Sequence, residues 1–298
     1  MKPATVNHSR LLKAAAQLKH GSSLVADRII AENPNGSNSS WSGVFRKLRL
    51  QRDRLHDDSS PRIDKPAFSV FAKGNSKLPF YAFSSMAILD CAGYGECGGW
   101  CYSKSAWRNP NAAGRQISNS MLLASEKGRR LIEDEFMKLP KGIVFRLYVD
   151  GDFDSKATLK FWMELLKRRP DIQAYGYSKS WVELVALHLD GYEWPKNYLL
   201  NLSSGSRHDD GLKAVVAGLP ITRGEFIAVP VDRRHIKSGA YKSRHAEGFT
   251  DYAKAVRSNS DKPRLFVCSG QCGDCLPAGR HACGDEKFRN VPIAIGVH

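Results

Sequence analysis

The sequence lacks the features of a secreted or membrane-inserted protein. Its 298 residues contain no apolar run close to the roughly 20 residues that span a bilayer. The opening residues MKPATVNHSR contain no hydrophobic signal segment. We therefore expect a soluble, cytoplasmic protein without membrane contact.

Acidic residues are also scarce. The chain has 30 Asp and Glu residues against 45 Lys and Arg residues, so that its formal net charge is +15. This charge favours polyanionic partners, and nucleic acid is the first candidate. Basic residues spread over every region are equally typical of an ordinary solvated surface. The charge therefore leaves both interpretations open, and it indicates no particular oligomeric state.

Cysteine is absent from most of the chain, and all seven cysteines fall into two groups. The first group is Cys91, Cys97 and Cys101, and the second group is Cys268, Cys272, Cys275 and Cys283. Thiolates this close in sequence, on glycine-containing loops, can converge on one metal centre, as zinc and iron–sulfur clusters require. An odd cysteine count without a signal segment argues against a disulfide framework. The pattern therefore predicts that both groups bind metal.

The first 65 residues differ in composition from the rest of the chain. Helical spacing of apolar residues predicts short helices over residues 9–19 and 24–31, and residues 33–40 have the composition of a loop. Residues 41–55 alternate arginines with apolar side chains. Such an amphipathic helix either lies along a phosphate backbone or docks onto the protein with its cations solvated. We interpret this region as a basic, partly helical extension.

From residue 66 onwards, strands and helices alternate. The predicted strands cover residues 67–71, 78–84, 143–149, 172–177, 198–202, 226–231 and 264–267. The predicted helices cover residues 117–139, 181–189 and 211–217, and one more begins after its expected N-cap, Ser155. This alternation indicates a parallel α/β sheet or barrel. We predict three regions, which are the extension (1–65), an α/β domain (66–267) and a Cys-rich metal segment (268–298).

Polar residues follow the ends of several predicted strands. They are Asp150 and Asp152, then Ser178, Lys179 and Ser180, then Ser203, Ser204 and Ser206, then Asp232, Arg233 and Arg234, and finally Cys268. Because the carboxyl ends of parallel strands meet at one edge of a sheet, we expect these side chains to share one rim. Any one of them could instead serve as a turn residue or a helix cap. Their coincidence predicts a functional site.

The order of a strand, a three-cysteine loop, a long helix, a strand and an acidic glycine-containing turn resembles the opening of radical S-adenosylmethionine enzymes. Trp100 matches the aromatic residue that precedes the last cluster cysteine in that superfamily. The resemblance implies a partial (β/α) barrel of TIM-barrel type and an electron donor as partner. It also implies a [4Fe-4S] cluster on Cys91, Cys97 and Cys101, with one iron open to S-adenosylmethionine.

The superfamily's usual cysteine spacing is three and then two residues, and the first group departs from it. That spacing occurs instead in Cys268, Cys272 and Cys275. Several superfamily members carry an auxiliary cluster in a C-terminal Cys-rich extension. The resemblance therefore implies that these three residues and Cys283 hold a second, fully ligated cluster.

The same resemblance implies a site for S-adenosylmethionine after the predicted strands. Asp150, Gly151 and Asp152 would replace the turn that holds its amino group, with Asp152 accepting that hydrogen bond. Ser178 or Lys179, and Ser203 or Ser204, would lie near its ribose or carboxylate. The implied catalytic residues are Cys91, Cys97, Cys101 and Asp152, and Trp100 belongs to the implied cofactor site.

Residues 66–283 also resemble phage and plasmid proteins of the gene product 88 type. The shared features are the Cys-rich loop that ends in Cys101-Tyr102, residues 146–155, residues 175–180 and the C-terminal cysteines. This resemblance implies a mobile-element protein that handles DNA, which agrees with the basic charge.

These observations predict an iron–sulfur protein with radical S-adenosylmethionine-like activity, acting on or near nucleic acid. The alternative is a non-catalytic DNA- or RNA-binding protein with structural iron–sulfur or zinc sites, zinc being suited to the second cysteine group. A third interpretation is a nuclease in which Asp150, Asp152 and Asp154 hold magnesium or manganese.

Overall fold

Parallel strands form one curled sheet, a half-barrel, in the computed structural model. The structure describes residues 6–75, 78–230, 266–268, 272–273, 275–276 and 281–297. The strands are β1 (Tyr81–Ala82), β2 (Val144–Leu147), β3 (Gln173–Ser178), β4 (Tyr198–Ser203), β5 (Thr222–Pro230), β6 (Phe266–Val267) and β7 (Ile293–Val297). Their order is β1-β2-β3-β4-β5-β7-β6, and each neighbouring pair is parallel. The predicted α/β class is confirmed.

Helices precede the sheet and connect its strands. They are α1 (His8–Lys19), α2 (Leu24–Glu32), α3 (Trp41–Leu55), α4 (Ser103–Ala106), α5 (Pro110–Leu123), α6 (Glu126–Met137), α7 (Lys156–Arg168), α8 (Trp181–Leu189) and α9 (Asp210–Ala217). Ser155 is the N-cap of α7, as predicted, because its hydroxyl accepts from the Thr158 backbone N–H at 3.2 Å. None of the described helices is long and apolar enough to cross a membrane.

The single helix predicted over residues 117–139 is wrong. Two helices, α5 and α6, occupy this region, and the second begins at its own N-cap, Ser125, whose hydroxyl accepts from the Gly128 N–H at 3.0 Å. A Cβ on Gly128 would lie 2.2 Å from the Leu122 carbonyl oxygen. The apolar periodicity continues through the break because both helices bury a face against the same core.

The strand predicted over residues 67–71 is also wrong. Val70 and Phe71 are apolar because they fill the core, where the Phe71 ring packs edge-on against Phe145 at 5.6 Å between centroids. Directly after this segment, an isolated antiparallel bridge joins Ala72 to Ala82 of β1. Strand β7 was not predicted, and the predicted strand over 264–267 is described only at its last two residues, which form β6.

The two faces of the sheet have different surroundings. Alternate residues of β2, such as Phe145 and Leu147, belong to the large core shared with the helices. The opposite face, which we call the inner face, is lined by Arg146, Tyr175, Tyr177 and Leu199. A smaller core on the inner face joins Tyr175 and Leu199 to Ala282, Cys283 and Ile293. The last part of the chain therefore packs inside the half-barrel.

The N-terminal helices share the large core with the sheet. Leu11, Ala14, Ala15 and Leu18 of α1 are all buried in it. Helix α3 contributes Val44, Phe45 and Leu48 to the same core. The domain boundaries at residues 65 and 267 stay predictions, and the described helices before residue 65 pack against the α/β part.

Candidate functional site

The loop that carries the first cysteine group crosses the rim of the half-barrel from β1 towards β4. The Cys97 N–H donates to the Gly205 carbonyl at 3.1 Å, and the Arg207 N–H donates to the Gly93 carbonyl at 3.2 Å. The Trp100 ring lies so close to Gly205 that a Cβ there would be 2.6 Å from it. Gly205 directly follows Ser203 and Ser204, the two rim residues predicted at the end of β4. The three-cysteine loop therefore lies next to these residues, as expected for side chains that share one rim.

The same loop is pressed against the end of β3. A Cβ on Gly93 would lie 1.7 Å from the Lys179 carbonyl oxygen, so only glycine fits at this contact. Burial raises the pKa of the Cys91 thiol, and nearby Asp152 raises it further. A hydrogen bond from the Ile88 N–H, at 3.4 Å, acts in the opposite direction but does not cancel this rise. Cys91 therefore lies next to the residues that follow β2 and β3.

The acidic turn after β2 is held by many hydrogen bonds. Gly151 has φ of +80°, and a Cβ there would lie 2.2 Å from the Ser85 hydroxyl oxygen. Asp150 accepts from the Ser103 hydroxyl at 2.6 Å, which ties the turn to the residues just after Cys101. Burial raises the pKa of Asp150, and its hydrogen bonds and the Arg146 charge only partly offset this effect.

Asp152 is buried and already bonded to the protein. One carboxylate oxygen accepts from the Lys179 N–H at 2.7 Å, and the other accepts from the Phe153 N–H at 2.8 Å. Burial raises the pKa of Asp152 despite these bonds and one from the Ser178 hydroxyl. Asp152 thus positions the turn after β3, and its predicted contact with an amino group stays a prediction.

Lysine and serine side chains complete the rim at β3 and β4. The Lys179 ammonium donates to the Ser203 hydroxyl at 2.8 Å. The Ser204 hydroxyl accepts from the Ala228 N–H at 2.8 Å, and the buried Ser178 hydroxyl accepts from the Ser180 N–H at 3.0 Å. Ser178 and Ser204 therefore have structural partners. Asp232, Arg233 and Arg234, predicted for the same rim, lie outside the described residues.

The second cysteine group lies against the inner face. The Cys268 N–H donates to the Ala294 carbonyl at 2.8 Å, directly after β6. The Tyr175 hydroxyl lies 3.9 Å from the Cys272 sulfur, and the Cys275 sulfur accepts from the Ala282 N–H at 3.4 Å. The Cys283 carbonyl accepts from the Asn201 side chain of β4 at 2.9 Å.

The thiols of this group influence one another. Burial raises the pKa of Cys283 to about 12, and the nearby thiols of Cys268 and Cys272 add to this rise. A hydrogen bond from Tyr177 lowers the pKa in part. Burial also raises the pKa of Cys275, with a contribution from Cys272. None of the seven cysteines, all of which lie in the described part of the chain, forms a disulfide. Among the residues that the structure describes, no three Cys, His, Asp or Glu side chains surround a single point as ligands of one metal ion.

Sequence reasoning missed several residues of this region. Arg146 and Tyr177 lie on the inner face, with the guanidinium carbon 4.7 Å from the centre of the Tyr177 ring. Tyr102, which directly follows Cys101, exposes 58% of its surface. The alternation of β2 could have identified Arg146 as an inner-face residue, because its charged side chain stands between two buried apolar residues in the strand.

His281 was also missed. Its ring packs at 4.3 Å from Tyr175 and 4.6 Å from Phe80 between centroids, and burial lowers its pKa to about 4. Its Nε2 atom is buried without a hydrogen bond. The position of His281 two residues before Cys283 was the available signal.

Comparison with known proteins identifies the family. No curated protein and no solved structure is similar to the chain. The model of one protein family, described as gene product 88, matches residues 54–290. This match covers α/β elements from the end of α3 to just before β7, together with both cysteine groups. The chain therefore belongs to the gene product 88 family.

Proposed function

We propose that the chain is an iron–sulfur enzyme of radical S-adenosylmethionine-like type, with its reaction centre at the rim of the half-barrel. The observation that carries the proposal is the position of the three-cysteine loop, which packs against Lys179 and Gly205 at the ends of β3 and β4. Parallel α/β folds bind their ligands beyond the carboxyl ends of the strands. The TIM-barrel type of the half-barrel belongs to the same proposal.

The donor set of the first group suits an iron–sulfur cluster. Cys91, Cys97 and Cys101 supply only thiols, which are the soft ligands that such clusters use. A cluster takes each thiolate on a different iron, so its ligands need not surround one point as they do around a zinc ion. A cluster with one open iron would supply an electron to bound S-adenosylmethionine.

The residues around the loop have the chemistry to bind and orient an amino acid group. The Lys179 ammonium, now bonded to the Ser203 hydroxyl, would attract a carboxylate. The carboxylates of Asp150 and Asp152 would favour an ammonium group nearby. The Trp100 ring covers Gly205 beside the loop and would limit access of water to this side.

The second cysteine group would hold an auxiliary cluster or a zinc ion. Its four thiols come from the segment that packs on the inner face, and Cys272 is near enough to contribute to the raised pKa of both Cys275 and Cys283. Metal binding there would fasten this segment to β3 and β4, because Cys272 contacts Tyr175 and Cys283 contacts Asn201.

The charged residues favour this proposal over the two alternatives. In α3, Arg46 donates to the Pro34 carbonyl at 2.8 Å, and Arg49 pairs with Asp27 at 3.2 Å, so these arginines hold α3 to the preceding turn and to α2. A nuclease would need Asp150, Asp152 and Asp154 to share a metal, but they bond to Ser103, to backbone N–H groups and to Lys19 respectively. Nucleic acid remains a proposed substrate class.

Metal analysis of the anaerobically purified protein tests the proposal. We expect about eight irons per chain if both groups hold four-iron clusters, and a paramagnetic-resonance signal that changes when S-adenosylmethionine is added. Cys101→Ser should lose the response to S-adenosylmethionine and about half of the iron. Gly99→Ala is the matched control in the same loop, because a Cβ there meets nothing within 4 Å. Zinc without iron, or an unchanged response in Cys101→Ser, would contradict the proposal.

A further inference from the structure

Arg146 lies on the inner face, in the strand next to the edge strand β1. It lies in β2 between Phe145 and Leu147, which point to the helix side, and it pairs in register with Tyr175 of β3. Its guanidinium carbon lies 4.7 Å from the centre of the Tyr177 ring. Tyr102, from the end of the three-cysteine loop, and Cys272, from the second cysteine group, are near enough to interact with its charge. Arg146 therefore lies between the two cysteine groups.

Apart from its contact with the Tyr177 ring, the guanidinium of Arg146 has no hydrogen-bonding or ion-pair partner among the described residues. Its Nε atom is buried without a hydrogen bond, and no described carboxylate lies within 4.0 Å of its nitrogens. Asp150 is the carboxylate that its charge influences, but Asp150 is bonded to Ser103 instead. Arg146 is partly exposed, but a buried guanidinium nitrogen without an acceptor is energetically costly, so such an arrangement needs a reason.

Two other buried arginines show how this protein satisfies a guanidinium. Arg223 donates to the Asn201 side chain at 2.6 Å and to the carbonyls of Phe288 and Val291 at 2.9 and 2.6 Å. Arg169 pairs with Asp171 at 2.7 Å and also reaches backbone carbonyls such as that of Phe136, at 3.1 Å. Arg146 has no comparable acceptors and thus differs from these two arginines.

The aromatic side chains around Arg146 are the tyrosines Tyr102, Tyr175 and Tyr177. Tyrosine phenols ionise only at about pH 10, so they carry no charge at pH 7. Neutral phenols offer ring faces and hydroxyl groups but no compensating negative charge. Tyr102 is largely exposed, and Arg146 and Tyr177 are partly exposed, so this surface is open to a ligand.

We propose that Arg146 binds the carboxylate or phosphate group of a small aromatic ligand that enters the half-barrel and packs against the rings of Tyr102 and Tyr177. A guanidinium binds either group through two parallel hydrogen bonds, and the tyrosine rings favour a ligand with a flat apolar part. The ligand supplies the negative charge that the described chain does not. This site needs no metal, so it does not depend on the proposed cluster.

Thermal unfolding of the protein as purified, with added phenyl phosphate or benzoate, tests the proposal at constant ionic strength. Benzyl alcohol serves as the uncharged probe, and iron and zinc contents are measured in parallel. The test variant is Arg146→Gln. Its matched control is Arg130→Gln on α6, since Arg130 is half-exposed and pairs with Glu126 one turn away.

We expect at least one of the two anions to raise the unfolding temperature of the wild type and of Arg130→Gln in a saturable way. Arg146→Gln should weaken that binding about tenfold or more, since it removes a charged hydrogen-bonding group. Without ligand, Arg146→Gln should unfold at the same temperature as the wild type or higher, because an unpaired buried charge is gone. Saturation by phenyl phosphate alone, or by benzoate alone, identifies the preferred group.

Three results would overturn the proposal. One is no saturable response of the wild type to either anion, and another is an equal response in Arg146→Gln. The third is a lower unfolding temperature of Arg146→Gln without ligand, or a loss of its metal, since the guanidinium would then serve the folded chain or the metal centre. If Arg146→Gln loses anion binding but keeps its metal content, the loss is due to the anion site and not to the proposed cluster.

Discussion

The ammonium of Lys19 lies 2.7 Å from the carboxylate of Asp154, so the last residue of α1 is paired with the segment that follows β2. The same ammonium lies 2.7 Å from the carboxylate of Asp90, next to Cys91. The Lys19 side chain is 9% exposed and that of Asp90 is 1% exposed. One buried cation therefore joins α1 to the start of the three-cysteine loop and to the segment after β2.

Lys19→Met should destabilise the protein strongly. It leaves Asp90 and Asp154 without their cation, and breaking a buried ion pair from one side costs about 3–5 kcal/mol. Denaturant unfolding of the variant measures this loss. Lys13→Met on the same helix is the control, because Lys13 is exposed and its replacement should change stability by less than about 0.5 kcal/mol. Equal stability of the two variants would show that the pair contributes nothing.

The same ion pair predicts how stability depends on pH. Burial alone would raise the pKa of Asp154, but the Lys19 charge and its hydrogen bond leave that pKa lowered. Its contribution is therefore present above the unfolded value of about 3.9 and is lost as the pH falls through the folded pKa. Burial opposes the Lys19 charge, yet Asp90 and Asp154 leave the pKa of Lys19 raised. That contribution is present below about 10.4 and is lost as the pH rises through the folded pKa.

Measuring the unfolding free energies of the wild type and of Lys19→Met across pH 2–11 checks both the predicted loss in acid and the predicted loss in alkali. The difference between the two proteins should be largest near neutral pH and should shrink towards both ends. Subtracting one curve from the other removes the effect of Asp150 and Asp152, whose raised pKa values act in the opposite direction in acid. A difference that stays constant with pH would contradict this origin of the stability.

The rim could be predicted from the sequence because it follows from local rules. Buried runs that alternate with helices indicate parallel strands, and polar residues after parallel strands lie at one edge. Asp152, Lys179 and Ser203 are in this way joined by hydrogen bonds in the structure. Their bonding partners could not be predicted, since Asp152 bonds to backbone N–H groups that only the folded turn brings close.

Asp152→Asn should therefore be more damaging than Asp150→Asn. Both oxygens of Asp152 accept from backbone N–H groups, and an amide can accept at only one side, so one N–H loses its partner at a cost of about 1–3 kcal/mol. The Asp150 carboxylate accepts from the Ser103 hydroxyl, which can rotate to accept from an amide instead. Urea unfolding at pH 7 compares the two variants, and equal losses would contradict the assigned role of Asp152.

Long-range contacts set the limit of the sequence analysis. Alternation identified β2 but could not reveal that Arg146 faces Tyr177 and Cys272, because the three come from distant parts of the chain. The break between α5 and α6 was missed since Ser125 is a cap only if the chain leaves the helical conformation there. Burial of Phe71 against Phe145 gave residues 67–71 the composition of a strand.

Two glycines of the three-cysteine loop allow a sharp test of how the loop is held. Gly93→Ala places a Cβ 1.7 Å from the Lys179 carbonyl oxygen, whereas Gly99→Ala places one where nothing lies within 4 Å. The first change must move the loop away from the end of β3, and overpacking of this kind costs about 1–3 kcal/mol. The second should change stability by less than about 0.5 kcal/mol.

Metal content links this contact to the proposed function. If the loop holds a cluster at the rim, Gly93→Ala should lower the iron bound per chain and the response to S-adenosylmethionine, while Gly99→Ala should retain both. The C-terminal group provides an internal reference, because the Cys272 sulfur lies beside the Tyr175 hydroxyl and the Cys283 carbonyl accepts from Asn201. About half of the iron should therefore remain in Gly93→Ala. Equal iron in both variants, with Gly93→Ala clearly less stable, would mean that the loop has a structural role and that the cluster lies elsewhere.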